Sequence, residues 1–427
     1  MKLRPSLLPT SLDAVFCDVV DRVATRVLGR ADVQGAALTQ ALTSLSEAYT
    51  GARRGSRGPI ELRHTSNEEA LAARARFFFV RDLPKIAGPL DELRVAKKLP
   101  PARAWRVLDV GAGLGAMSFG VAHFAKVHDL ADRIEVLAID HDARALSFMK
   151  EMASEVSRSL SKECVETQIE TRSLDVTSAD AFASLGEFDL IVMGFTLNEL
   201  FENLSEDEAR KKRVAVLHNA MKALRSTGSL IVLEPALRDV ARSLERVRDE
   251  LVTEKVLTVF APCIRRSTPC PMLENERDWC HESIPYALPE RTAALARDAG
   301  LRFEGLSFSY LTLRKDGARL RDFVGTDSAG TAAKAHFRMV SEALPSKGKH
   351  EAFGCGDPGR VRLMLLLREA AESNDSFFKL ERGDLFALEP GTDPASQVVE
   401  IKHRISKLSV LTLEKPAGDP LRRRRSL

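Results

Sequence analysis

Val107-Leu108-Asp109-Val110-Gly111-Ala112-Gly113-Leu114-Gly115 is the stretch on which the fold turns. A β-rich run, Arg106 to Val110, enters it, and a helical stretch, Ala116 to Lys126, leaves it. That context gives the glycines meaning, because they let the backbone turn tightly and approach a ligand while the helix start offers free N–H groups. Further β-rich runs follow at Ile134 to Asp140, Phe188 to Gly194 and Gly228 to Pro235, separated by helical stretches. Such alternation predicts an α/β domain with a doubly wound parallel sheet and right-handed crossovers.

Strand ends in such sheets face the ligand crevice, which selects the candidate residues. Asp109 lies on the first strand, and Asp140 closes the next, where a carboxylate can accept both ribose hydroxyls of an adenosine cofactor. Asp175, after the third strand, is placed to meet the adenine edge. With Gly111, Gly113 and Gly115, these acids suit a class I S-adenosylmethionine (Rossmann-like methyltransferase) fold better than a dinucleotide fold, whose glycine spacing differs. The plainer reading is a Rossmann-like domain that has lost its ligand. At the fourth strand's end, Asn198 and Glu199 are the polar residues best placed to meet an acceptor and form the candidate catalytic pair; alternatively, Asn198 caps the following helix. There is no Asn-Pro-Pro-Tyr-like tetrad and no cysteine nucleophile on these strands, so the acceptor is unspecified.

Three of the six cysteines, Cys263, Cys270 and Cys280, fall in one segment that also holds Pro262, Pro269 and Pro271. The segment has neither helical nor strand periodicity, so its thiols do not read as core positions of a regular element. Cys355 can complete a set of four, with His281 as the alternative fourth ligand. Both tetrahedral zinc and an iron–sulfur cluster take such a set; spacing does not choose, and first principles lean to zinc. Cys17 and Cys164 read as ordinary buried thiols in helical stretches.

A chain of 427 residues predicts two or three domains. They are an N-terminal helical region (1–98), a Rossmann-like methyltransferase domain (99–315) with a metal-binding insertion at 261–285, and a small β-containing appendage with a basic tail (316–427). Residues 301–315 predict two strands around a short break, and the appendage has strand candidates at 360–368 and 406–414. Lys and Arg outnumber Asp and Glu by only 63 to 60, so net charge announces no nucleic-acid partner. Basic residues do cluster, at Arg53, Arg54, Arg57 and Arg63, at Lys347 and Lys349, and at Arg422 to Arg425. No apolar run is long enough to span a bilayer, the start lacks a signal-peptide core, and Asp13, Asp18 and Asp21 do not fit an organellar presequence. The expectation is a monomeric, soluble protein of the bacterial cytoplasm, where thiols stay reduced and a cysteine cluster means metal or catalysis.

From about residue 65 to about 385 the chain resembles the methyltransferase-like assembly factors of the small ribosomal subunit, found in mitochondria and bacteria. The resemblance rests on the glycine loop, Leu197-Asn-Glu-Leu200, Leu233-Glu-Pro235, Ala261-Pro-Cys263 with Cys270-Pro271 and Trp279-Cys-His281, Phe308-Ser-Tyr-Leu311, and Pro345-Ser-Lys-Gly-Lys349 before Cys355. It implies a four-iron, four-sulfur (4Fe-4S) cluster on Cys263, Cys270, Cys280 and Cys355. It also implies a role on small-subunit ribosomal RNA (rRNA) during assembly or translation. The chain departs from the family pattern at Glu282, where relatives carry an aromatic residue, at Ala236 in place of glycine, and at Ile264 and Arg265. These changes touch the cluster's surroundings more than its ligands. Whether methyl transfer occurs stays open, beside two other readings: a non-catalytic RNA-binding assembly factor and a zinc-stabilised protein methyltransferase.

Overall fold

Val107 and Leu108 point to opposite faces of a central strand, and both are fully buried, so apolar layers cover that strand on each side. This computed structural model describes residues 10–50, 67–265, 268–303, 305–323, 335–356, 358–389, 402–405 and 410–413. The main sheet comprises β1 (Ala104–Val110), β2 (Arg133–Asp140), β3 (Glu166–Ser173), β4 (Phe188–Gly194), β5 (Leu224–Pro235), β6 (Thr258–Ala261), β7 (Glu282–Ile284) and β8 (Leu306–Arg314). Its order is β3-β2-β1-β4-β5-β8-β6, with β7 also paired to β8. The first five strands are parallel, and β8 runs antiparallel to β5 and β6. The chain leaves β1 toward β2 and returns on its other side at β4, so a crevice opens where those strand ends diverge. This is the doubly wound α/β architecture that the sequence predicts, with antiparallel strands added at one edge.

One face is covered by α1 (Thr10–Leu28), α2 (Gly35–Thr50) and a broken helical rod. The rod runs through α3 (Glu68–Ala73), a π turn (Arg74–Phe79), α4 (Val80–Asp82), a 3-10 turn and α5 (Ala87–Val95). With α6 (Ala116–Val127) and α7 (Ala143–Ser159), these bury Phe16, Val20, Leu42, Leu71, Phe119 and Phe148 in one core. On the other face, α8 (Glu206–Lys222) and α9 (Arg238–Glu254) bury Leu217 and Val247 against Leu108, Ile139 and Ile191. A tenth helix, α10 (Glu290–Asp298), leads to β8.

The appendage forms a second, mostly antiparallel sheet with its own small core around Phe337, Leu363 and Phe386. Its strands are β9 (Ala335–Met339), β10 (Leu344–Ser346), β11 (Lys349–Gly356), β12 (Gly359–Leu366), β13 (Leu385–Glu389), β14 (Lys402–Ile405) and β15 (Val410–Leu413). It is tied to the rest by a buried polar knot. Arg338 of β9 donates to Glu92 of α5 at 2.7 Å and to Glu282 of β7 at 3.0 Å, and Tyr310 of β8 donates to Glu92 at 2.7 Å. Four segments distant in sequence thus meet at one guanidinium.

Several expectations change. Within 301–315 the described residues form one strand, Leu306–Arg314, whose Phe308–Leu313 pair with β5 on one edge while β6 and β7 share the other. The break lies before it, at Gly305 (φ +136°), where an added Cβ would sit 2.5 Å from the Ile284 carbonyl oxygen. Cys164 is buried in a turn rather than a helix, since α7 ends beforehand and the Cys164 amide donates back to Leu160. Of the strand candidate at 406–414, residues 410–413 form β15; the rest, like Arg53, Arg54, Arg57, Arg63 and Arg422 to Arg425, lies outside the described residues. Among the described residues no helix is long and apolar enough to cross a membrane.

Candidate cofactor crevice and four-cysteine site

The glycine loop turns sharply out of β1. Gly111 has φ +66°, and a Cβ there would lie 2.2 Å from Thr196 Oγ1, so only glycine fits. Thr196 Oγ1 in turn lies within 3.3 Å of the carbonyl oxygens of Val110, Gly111 and Gly194, which joins the loops after β1 and β4. Gly113 donates its amide to Asp140 Oδ2, and Asp142 donates to Asp140 Oδ1, each at 2.8 Å. Asp140 therefore braces the glycine loop at the end of β2. Gly115 occupies the N-cap position of α6.

Asp109 is buried beneath this loop. Its Oδ2 accepts from Ser118 at 2.5 Å, while Oδ1 has no hydrogen-bond partner among the described residues. Burial pushes its carboxyl up to about 7. Asp175 accepts from the Thr177 amide at 2.9 Å and its hydroxyl at 2.7 Å, bonds that hold its carboxyl below the usual carboxylate range. It shapes its own turn just beyond β3.

Asn198 and Glu199 lie in a 3-10 turn (Leu197–Glu199) after β4. Ser205, not Asn198, caps α8, in a reciprocal pairing with Glu208. Asn198 instead faces Glu234 at the end of β5. Its backbone amide donates to Glu234 Oε1 at 3.2 Å, and the amide orientation that satisfies both its ends gives Nδ2 to Glu234 Oε2 at 2.6 Å. Burial pushes Glu234 up to about 8. Arg213 of α8 holds the same turn through the carbonyls of Asn198 and Leu200 at 3.2 and 2.9 Å. Phe195 and Phe201 flank it in left-handed backbone (φ +59° and +63°), a strained conformation for bulky residues that clusters at functional sites. Glu234 escapes a search for exposed polar residues; the available signal was Leu233-Glu-Pro235 at the neighbouring strand's end.

The cysteine segment is shaped by one face of α9. Arg242 donates to the carbonyls of Met272, Asn275 and Asp278 at 2.8–2.9 Å, Asp249 accepts the Cys270 amide at 2.8 Å, and Glu245 accepts the Cys280 amide. Cys263, Cys270 and Cys280 line a cavity of about 30 Å³ together with Glu245, Arg248, His281 and Tyr310. Cys355 comes from β11, where it pairs across to Arg338 and Arg360. Burial pushes the thiols of Cys270, Cys280 and Cys355 up, the last to about 12, and the charge of Cys263 adds to each rise. Four thiolates so placed repel one another and need a cation to hold them ionised together. Among the described residues no three His, Cys, Asp or Glu side chains are grouped to hold a single metal ion. His281 stacks on Trp279 at 5.5 Å, with Nδ1 buried and lacking a hydrogen bond among the described residues. Glu282 of β7, two residues after Cys280, is the partner of Arg338 in the buried knot.

Residues 86–382 match the family described as mitochondrial small ribosomal subunit Rsm22. The chain belongs to that family. The matched span of this Rsm22-family chain contains the glycine loop, the turn after β4 and all four cysteines of the candidate set; it leaves out α1 to α4. Among solved structures, the chain is similar to a class I S-adenosylmethionine-dependent methyltransferase of Listeria monocytogenes at 12% identity and TM-score 0.35, covering 76% of this chain and 92% of that one. It is also similar to precorrin-6y C5,15-methyltransferase of Geobacter metallireducens at 13% identity and TM-score 0.30, covering 53% and 89%. Comparison with curated proteins gives no match.

Proposed function

We propose that this Rsm22-family protein binds S-adenosylmethionine in the β1–β4 crevice, holds a four-iron, four-sulfur cluster on Cys263, Cys270, Cys280 and Cys355, and acts on or near small-subunit ribosomal RNA. The observation that carries the reading is that one family span contains both the crevice and the four cysteines, Cys270 buried and the other three half-buried. Gly111, Gly113 and Gly115 form the cofactor loop, Asp140 takes the ribose, Asp175 lies toward the adenine, and Asp109 supports the loop from the end of β1, its buried Oδ1 without a partner among the described residues. Asn198 and Glu199 face the acceptor side. Bound there, the cofactor supplies an electrophilic methyl group. Zinc, the alternative, asks four sulfurs to converge on one ion at about 2.3 Å each; the family resemblance, rather than the geometry, selects the four-iron cluster. A monomer in a bacterial cytoplasm, with its thiols reduced, belongs to the same proposal.

One observation favours a second reading, a factor that binds cofactor and RNA without transfer: the Asn198 amide is committed to Glu234. Incubation with radiolabelled S-adenosylmethionine and small subunits separates the two, since label in the RNA requires an enzyme.

Asp140→Ala should weaken S-adenosylmethionine binding at least about tenfold, because it removes charge-assisted bonds worth roughly 1.5–3 kcal/mol each and the brace on Gly113. Calorimetry with unchanged affinity would remove Asp140 from the site. RNA affinity should fall at least about tenfold between roughly 50 and 200 mM salt, as phosphate contacts release counterions. Lys347 and Lys349, beside the β10–β11 turn, are described contributors, with Lys349 also pairing Glu351 at 3.0 Å. A flat filter-binding series would reject a phosphate-dominated contact.

A further inference from the structure

Arg74 opens the π turn of the N-terminal rod, an irregularity that re-aims side chains and recurs at functional sites. Its guanidinium lies on the glycine loop: a Cβ built on Gly113 would sit 3.1 Å from Arg74 Nη2. The side chain is only 21% exposed, yet among the described residues it makes no hydrogen bond, and its nearest carboxylate oxygen, Asp142 Oδ2, is 4.0 Å away. Asp142 is occupied in capping α7, accepting from Arg144 and Ala145, and Asp140 is occupied by Gly113 and Asp142. Burial works against the charge of the guanidinium, and the nearby carboxylates Glu199, Asp140 and Asp142 act in the opposite sense, with a net upward shift. Earlier on the same rod, Glu68 pairs with Arg144 of α7 at 2.8 Å.

A largely buried guanidinium has five donors to satisfy, and its planar fork matches a carboxylate. A cofactor with its ribose at Asp140 and its methyl toward the β4 end would carry its amino-acid tail over the glycine loop. Its carboxylate is the anionic group that S-adenosylmethionine brings. We infer that Arg74 binds the carboxylate of the cofactor's methionine tail, which makes the N-terminal helical region part of the cofactor site. The inference rests on the cofactor reading above, but Arg74 lies outside the family-matched residues 86–382.

The test is calorimetry on the full chain with two ligands: S-adenosylhomocysteine, which carries the tail, and 5′-methylthioadenosine, which lacks it. The parent should prefer the first by at least about tenfold, or roughly 1.4 kcal/mol. Arg74→Met should erase most of that preference while leaving methylthioadenosine affinity within about twofold, and Arg74→Lys should restore part of it, as a point charge without the fork. Equal weakening toward both ligands, or an unchanged preference, overturns the assignment. A parent that binds neither ligand overturns the cofactor reading itself, and the Arg74 assignment with it.

Discussion

Replacing Cys355 with serine should strip the iron from the protein and expose the C-terminal sheet to proteases, with the cofactor domain still folded. Three candidate ligands sit on the segment held by α9, whereas the fourth arrives on β11 of the separate sheet. Closing a cluster on all four therefore joins two units, and metal-binding energy becomes docking energy. A serine hydroxyl is a harder and much less acidic ligand than a thiol, so it does not replace the lost thiolate. Iron should fall from about four atoms per chain to below one, and limited proteolysis should release the appendage before the main sheet. Unchanged metal in Cys355→Ser, together with loss in His281→Ala, would move the fourth ligand to His281, whose Nδ1 already faces a buried environment without a bond.

Arg338→Met should be the most destabilising single change outside the cysteines. Glu92 and Glu282 both rely on this guanidinium, and Glu92 is 4% exposed. Removing one member of a buried ion group leaves the others uncompensated, at a cost of about 3–5 kcal/mol, well above the effect of a surface pair. Burial already raises Glu92, and losing Arg338 raises it further. A carboxyl whose folded pKa lies above its unfolded value supports folding below the unfolded pKa and loses that contribution as pH rises through the folded one. The variant's deficit should therefore shrink as the pH is lowered and widen as it is raised. Urea denaturation giving a deficit under about 1 kcal/mol, flat with pH, would show that the two carboxylates find other partners.

The parallel core was legible because its signals are local. Leu108 to Gly115 carry strand, turn and helix start within a few residues, and strands buried on both faces read as apolar runs. The irregular course of the Cys263–Cys280 segment was legible because its prolines interrupt regular elements. What could not be read was what lies opposite a residue. Arg242, Glu245 and Asp249 share a helical spacing visible in the sequence, but nothing local says that they grip the cysteine loop. Arg338 and Glu92 are 246 positions apart, and only the docked appendage brings them together. Asn198 reads as an acceptor-facing residue, with a helix cap as the alternative, and neither reading shows its partner, Glu234 of the neighbouring strand. Arg74 looks like any charged residue on a surface helix until the π turn places it over Gly113.

Anaerobic purification of the full chain followed by iron, sulfide and zinc analysis tests the central claim most directly. The expected result is about four iron and four sulfide per chain, with broad visible charge-transfer absorption from cysteine-ligated iron. A colourless protein with about one zinc per chain, or with no metal while all four thiols remain reactive, would contradict it.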